Sequence, residues 1–466
     1  MLVHRRPQAT AGLDGARLTG PTVARYAVGS IGTAGFSTLP GLVLIYYLTD
    51  TLGVAAAAAG GIVAVAKLWD VVIDPLIGAT SDRSRRRRGS RRPLMLIGAH
   101  ALPVFFAVTF AVPTGLPSPT DAVWVAVAFL LAATAFSLFQ VPYIALPAEL
   151  TGHYDERTRL LTARVVVLTV GILVFGAGGP ALREVGGTPR IGYLIMGVVA
   201  GGVIGVSLLI ASRSAPVSQV ATDTQITDET SSPAAAYRSA AAVLRRSRPL
   251  RLLLGAFLLQ GLATGLMLAD GQYVATWVLG DEAAVSYLFV ALIGPAVLFA
   301  PIWGAVARRI GKESGFAIAT TLFAVASVSL VLLHWTPGWW VYPVIGFAGA
   351  AYAGMQSLPM AMVPDVITHD AHTHGQNSAG VIGGVWTAGE TTGMALGAVA
   401  LTAVLAVGGY VSSDADATEV TQPTGALWAM VIGFSVIPAA LAVVSLLLIT
   451  RYPLRRNDID GRVADV

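Results

Sequence analysis

Asp70 and Asp74 stand one helical turn apart, with Lys67 one turn ahead of Asp70, in an otherwise apolar run from Ala55 to Gly78. At about 3.6 residues per turn the three fall on one helix face. A charge in hydrocarbon costs at least ~2.5–3.5 kcal/mol, so residues of this kind face a protein interior and mark ion or proton pathways. Two carboxylates this close in a low-dielectric cavity cannot both ionise cheaply unless a cation or Lys67 compensates. The chemistry they suit is reversible binding of a proton or a sodium ion. The competing reading is a structural Lys67–Asp70 pair that fixes helix packing.

The element that must carry this pair is a membrane helix. The chain is 55% hydrophobic and only 12% charged, against roughly 25% charged in soluble domains, and its mean hydropathy is +0.70. Apolar stretches of about 20 residues, the length that spans a bilayer, begin near Thr22, Val54, Leu94, Asp121, Thr158, Ile191, Leu250, Ala283, Ser314, Trp339, Gln376 and Gly425, which predicts twelve spans. Arginines set the orientation, because short cytoplasmic loops hold the excess of Lys and Arg. The second loop has Arg83, Arg85, Arg86, Arg87, Arg88, Arg91 and Arg92, the fourth Arg157 and Arg159, and the eighth Arg308, Arg309 and Lys312. Of the odd loops only the fifth is basic, with Arg183 and Arg190. Both termini are therefore expected in the cytoplasm, with the chain in the inner (cytoplasmic) membrane of a bacterium, as its alanine- and arginine-rich usage suggests.

Composition also sets exclusions. The net charge of +4 follows from topology and does not imply nucleic acid. Without cysteine there is no disulfide, thiol catalysis or Cys-ligated metal. No Walker loop or catalytic triad is present, so neither ATP-driven transport nor an enzyme is indicated, and no cofactor is expected beyond a coupling H+ or Na+. The polar N-terminus lacks the apolar core of a cleaved signal.

A repeat runs through the chain. Gly78 to Asp82-Arg83 ends the second span as Gly304 to Arg308-Arg309 ends the eighth, and Pro147-Ala-Glu149 ends the fourth as Pro364-Asp365 ends the tenth. This divides the chain into a cytoplasmic tail (1–21), a six-helix bundle (22–211), a flexible cytoplasmic linker (212–249), a second six-helix bundle (250–450) and a tail (451–466). Parallel repeats of this kind are the organisation of secondary transporters, with the substrate site between halves near the bilayer midplane. The expected class is an all-α membrane protein that binds a small molecule by alternating access. A monomer is expected, since each chain contains both halves.

Other embedded polar residues are candidates for the site. Glu390, about fourteen residues into the eleventh span, has Trp386, Thr387, Thr391 and Thr392 for neighbours. It could line the cavity or pair with Arg164 of the fifth span, whose bland alternative is snorkelling. Gln260, Thr264 and Gly271 form a stripe in the seventh span, followed by Tyr273 and Trp277; Asp270 there is placed near the outer end, where exposure is easy. Glu149 and Asp365 are expected to close an inner gate with arginines such as Arg157 and Arg83. The run His369-Asp370-Ala-His372-Thr-His374 is read as a solvated loop rather than a metal cluster.

The loop signature Gly78, Asp82, Arg83, Arg86, Arg87 resembles that of the major facilitator superfamily, in which an acidic residue and basic partners latch the inner gate. Within it the chain is similar to the glycoside–pentoside–hexuronide:cation symporters, the melibiose permease group. The matching stretches are Tyr46-Tyr47-Leu-Thr-Asp50, Lys67-Leu-Trp69-Asp70-Val-Val-Ile-Asp74-Pro75-Leu-Ile-Gly78, Val141-Pro142-Tyr143 through Glu149-Leu-Thr151 to Thr158, and Gly393-Met-Ala-Leu-Gly397. The resemblance implies that Asp70 and Asp74, near Lys67, bind the coupling cation with a hydroxyl at Ser137. Sodium-using members place Asn where this chain has Ile73, which favours H+ over Na+. The sugar-binding acids of the family align with Ala34 and Gln140, its tryptophan with Ile144, and its eleventh-span lysine with Thr391 or Glu390; Arg164 keeps its counterpart. Gln140 and Tyr143 complete the expected substrate contacts, and a less hydroxylated, amphipathic or aromatic substrate is expected. The Gly176–Pro180 stretch partly resembles the fifth-helix motif of drug/proton antiporters. Because the same carboxylates can serve antiport, export of an amphipathic compound is the alternative to symport, and a non-transporting sensor or an uncoupled lipid-handling protein a further one.

Overall fold

The computed structural model describes residues 17–115, 118–151, 154–216, 233–374, 379–412 and 421–454. The first sixteen residues and those from 455 onward lie outside them. The first half comprises α1 (Gly20–Tyr46), α2 (Ala56–Arg88), α3 (Arg92–Thr109), α4 (Ser118–Leu150), α5 (Tyr154–Arg183) and α6 (Pro189–Ser212). After α7 (Pro233–Arg246), the second half comprises α8 (Arg248–Tyr273), α9 (Ala284–Ile310), α10 (Lys312–Ser329), α11 (Val341–His374), α12 (Ala379–Val407), α13 (Thr424–Phe434) and α14 (Val436–Ile449). Eleven helices, with α13 and α14 as one broken span, are long and apolar enough to cross a membrane. The twelfth is α11, whose 34 residues at ~1.5 Å each exceed a hydrocarbon core of ~30 Å. The protein is thus an all-α membrane protein of twelve crossing helices.

The internal repeat is realised as packing. In the first half α1 lies against α5 and α6, α3 against α4 and α6, and α2 against α4. In the second half α8 lies against α12 and α14, α10 against α11 and α14, and α9 against α11, each the equivalent contact six spans later. The halves meet through α1 with α8, α2 with α12, and α5 with α9. Small residues permit this closeness, as expected where van der Waals packing replaces hydrophobic drive. A Cβ at Gly265 would lie 2.2 Å from the Met394 carbonyl, and one at Gly397 would lie 2.4 Å from that of Leu262.

Three expectations are corrected. The linker read as flexible contains helix α7, which is docked: Arg246 donates at 2.7 Å to Asp370, whose side chain is fully buried. Its residues 217–232 lie outside the described ones. The histidine run is the last turn of α11 rather than a loop, and His374 Nδ1 lies 3.1 Å from the same Asp370. Residues 369–374 keep helical spacing, and burying Asp370 demands those partners. Among the described residues no group of three metal-type ligands occurs. The last span, expected as one helix, breaks at Ser435, because Pro438 lacks an N–H and crowds the carbonyl of Phe434 one turn earlier.

Candidate transport site and outer gate

Helix α2 supplies the acidic pair. Val63, Ala66 and Ile77 are buried, while Leu68, Val72 and Leu76 are exposed on the opposite face. At about 100° per residue, Asp70 and Asp74 lie beside the buried face rather than the exposed one. Lys67 Nζ donates to Asp70 Oδ2 at 3.2 Å, and their side chains keep 45% and 27% exposure, so the pair is not sealed inside the protein. Ser137 of α4 is buried and lies against the Asp74 carboxylate. Asp74 Oδ1 is buried with no hydrogen-bond partner among the described residues. Pro75 follows directly and cannot donate to the Val71 carbonyl, which loosens the helix ladder at the acid. Trp69, next to Asp70, donates from its indole to Thr134 of α4 at 2.8 Å, anchoring α2 to α4.

Beside it, α1, α4 and α5 build a polar and aromatic cluster. Tyr143 stacks on Tyr26 with centroids 4.6 Å apart and donates to the Tyr26 carbonyl at 2.6 Å; its hydroxyl is also 3.2 Å from Ser30 Oγ. The Arg164 guanidinium lies over the Tyr143 ring at 5.5 Å, so it turns toward the protein interior rather than snorkelling. Thr33 donates to Gln140 Oε1 at 2.9 Å. Tyr143 is therefore committed to holding α4 against α1, and Gln140 and Arg164 are the groups with hydrogen-bonding capacity to spare. Ala34 is fully buried against Gly171.

In the second half, Trp386 stacks on Phe257 with centroids 4.4 Å apart, and its buried indole N–H has no partner among the described residues. Glu390 is half-buried and faces Tyr352; it forms no ion pair with Arg164 among the described residues. The side chains of Thr387 and Thr391 lie outside the described ones. Gln260, expected to touch substrate, is buried and donates to Thr320 at 2.9 Å and Ser445 at 3.1 Å, tying α8 to α10 and α14. Thr264 bonds back to its own helix, to the Gln260 carbonyl at 3.0 Å.

The arginine-rich ends of the helices, inner by the charge rule, carry matching ion pairs within each half. Glu149 pairs with Arg91 at 2.5 Å and Arg85 at 3.3 Å, and Asp365 with Lys312 at 2.6 Å. Arg91 and Lys312 sit at the starts of α3 and α10, directly beside the carboxylates, and among the described residues they take the place expected for Arg83. Arg83 is exposed, and the side chains of Asp82 and Arg157 lie outside the described residues.

Among the described residues, polar contacts between halves gather at the opposite end, which the charge rule makes the outer one and where sequence reasoning assigned no gate. Helix α1 widens into a π turn at Tyr47–Thr51 and α8 into another at Val274–Val278, a feature frequent at functional sites. Asp50 and Trp277 occupy the same place in the two turns, ahead of Gly53 and Gly280, both with positive φ. They meet across the interface, Trp277 Nε1 donating to Asp50 at 3.2 Å. Tyr410 also donates to Asp50, and Thr49 Oγ1 lies 2.6 Å from the Tyr273 hydroxyl. Tyr273, expected to contact substrate, thus belongs to this seal. Alongside, Arg183 is buried, donates to Tyr193 at 3.0 Å and lies 3.4 Å from Glu282 of the other half, which explains an arginine in an outer loop. The glycine-rich stretch of α5 seats the Phe289 ring at Gly176, and Ser286 donates to the Ala177 carbonyl at 2.9 Å. The signal for Asp50 and Trp277 was the repeat itself, an acid and an indole at equivalent ends of the first and seventh spans.

Two pseudo-symmetric six-helix bundles, sealed at one end and holding a part-exposed carboxylate pair, have the architecture of a membrane transporter. The profile of the MFS/sugar transport protein family matches residues 25–456, and the chain belongs to that family, in its glycoside–pentoside–hexuronide:cation symporter branch. An uncharacterized symporter of Synechocystis sp. is 24% identical over 95% of this chain and 96% of its own. A glucuronide carrier protein homolog of Escherichia coli is 24% identical over 94% and 93%. Among solved structures, a D-xylose-proton symporter shares the fold with a TM-score of 0.67 at 10% identity, over 93% of this chain and 98% of that one.

Proposed function

We propose that the protein is a proton-coupled symporter that brings a small sugar-derived solute with an apolar or aromatic face into the cell. The observation that carries this reading is Asp74, a carboxylate with one oxygen buried and unpartnered, beside Asp70 and Ser137. A proton needs one carboxylate oxygen. Sodium needs several oxygens, and Ile73 supplies none. Protonation removes the charge that keeps this face of α2 hydrated, so it lowers the cost of enclosing the acids as the halves rock. Relatives named as a glucuronide carrier homolog and an isoprimeverose transporter support a sugar-like solute. The Tyr26–Tyr143 and Phe257–Trp386 stacks, with Gln140, Arg164 and Glu390 nearby, favour one that presents a flat apolar face and few hydroxyls.

The test uses right-side-out vesicles and a panel of aryl glycosides and aryl glucuronides. Acidifying the outside should raise uptake without added sodium, and Asp74→Asn should abolish pH-driven accumulation while leaving solute exchange intact. Uphill uptake in Asp74→Asn equal to that of the parent would refute the coupling role. Uptake that needs sodium and ignores the pH gradient would replace the proton with sodium, and retention that falls on outside acidification would mark antiport.

A further inference from the structure

Asp270, expected at an exposed outer position, is fully buried. Both its carboxylate oxygens lack a hydrogen-bond partner among the described residues. It lies between α8 and α13, and the contact is tight: a Cβ at Gly433 would come within 2.6 Å of Asp270 Oδ2, so only glycine lets α13 close over the acid. An ionised carboxylate in such a place, with no cation, is far costlier than a neutral one.

The position has a mechanical consequence. One turn beyond Asp270, Tyr273 bonds to Thr49 of the other half, and Trp277 follows on Asp50. The peptide ladder joins them directly, since Val274 N–H donates to the Asp270 carbonyl. Ionising Asp270 requires water to enter between α8 and α13, which shifts the end of α8 that carries half of the outer seal.

We propose that Asp270 is a proton-binding site, separate from the α2 pair, that must be occupied for the outer gate to close. The proton arrives from outside water while the gate is open, stays on the carboxyl group in the sealed state, and returns when the seal reopens. The titratable and charged groups around it are Tyr273 on α8 itself, Tyr46 and Asp50 at the end of α1, Tyr410 after α12, Glu282 before α9 with Arg183 beside it, and His334 after α10, which stacks on Trp428 of α13. Glu390 of α12 and Lys312 and Glu313 of α10 lie toward the inner end, and α13 and α14 carry no charged residue. The proposal does not depend on symport or on the solute.

The chain has no cysteine, so Leu268→Cys, against Gly41 of α1 beneath the seal, provides a single reporter for a membrane-impermeant maleimide added outside. As external pH rises, labelling in the otherwise unaltered protein, divided at each pH by the rate for the same cysteine in denatured protein to remove thiolate ionisation, should rise by up to about tenfold per pH unit, the dependence of one proton. Asp270→Asn, which imitates the neutral acid, should stay sealed at every pH, and Asp270→Leu should do the same. In the infrared difference spectrum between acid and alkaline pH, Asp270→Asn should remove one component of the carbonyl band of neutral carboxylic acids, and Asp74→Asn should leave that component in place while removing a different one. An equal rise in labelling with and without Asp270 would assign the dependence to Asp50, Glu282 or His334 and overturn the proposal. So would labelling that ignores pH, or an infrared band that Asp270→Asn leaves unchanged.

Discussion

The outer seal makes a quantitative claim. Asp50 accepts hydrogen bonds from Trp277 and Tyr410 of the opposite half, and Asp50→Ala deletes both while leaving two part-buried donors without their acceptor. At roughly 1–1.5 kcal/mol per bond, the closed state should lose about 2–3 kcal/mol relative to the open one. That corresponds to about a 30–150-fold shift in the equilibrium between them. The contacts of Arg183 with Glu282 and of Ser286 with Ala177 remain, so the seal weakens without vanishing. The Leu268→Cys reporter reads this directly: while the open state is a small minority, its rate of alkylation from outside is proportional to that minority. The rate should therefore rise by the same factor in Asp50→Ala at neutral pH. Asp50→Asn, which keeps one acceptor oxygen, should fall between the two. If Asp50→Ala labels at the parental rate, the contacts seen at this end do not govern access, and the assignment of a gate is wrong.

Three further outcomes follow from the packing. Gly265→Ala places a methyl group against the Met394 carbonyl and should cost about 1–3 kcal/mol, seen as a fall in melting temperature in detergent. Gln260→Leu removes two bonds that tie α8 to α10 and α14. It should lower thermal stability by about 1–2 kcal/mol and leave the KM for transported solute unchanged; a large rise in KM with no change in stability would return Gln260 to the substrate site. Arg246→Ala strips the fully buried Asp370 of its guanidinium partner, a loss of up to about 3–5 kcal/mol that His374 offsets in part. It should speed hydrogen exchange of the α7 amides while the membrane helices keep their protection.

Much of this protein was determined by the order of its residues. Span length, arginine placement and the repeat of Gly78–Arg83 in Gly304–Lys312 fix twelve crossing helices in two equivalent halves, because hydrocarbon forces each segment to satisfy its own backbone and loop charge biases which side it faces. Asp70 and Asp74 were legible for the same reason, since a carboxylate stands out in an apolar run. What the linear order left open is which face of each helix meets which neighbour. That choice put Gln260 into helix packing, turned Tyr273 toward Thr49, buried Asp270 under Gly433 and gave Asp365 to Lys312. A polar residue on a membrane helix has one identity in sequence and several fates in space, as ligand, as tie between helices or as gate. Only the close approach of specific helices, set by small residues and by the π turns at Tyr47–Thr51 and Val274–Val278, decides among them.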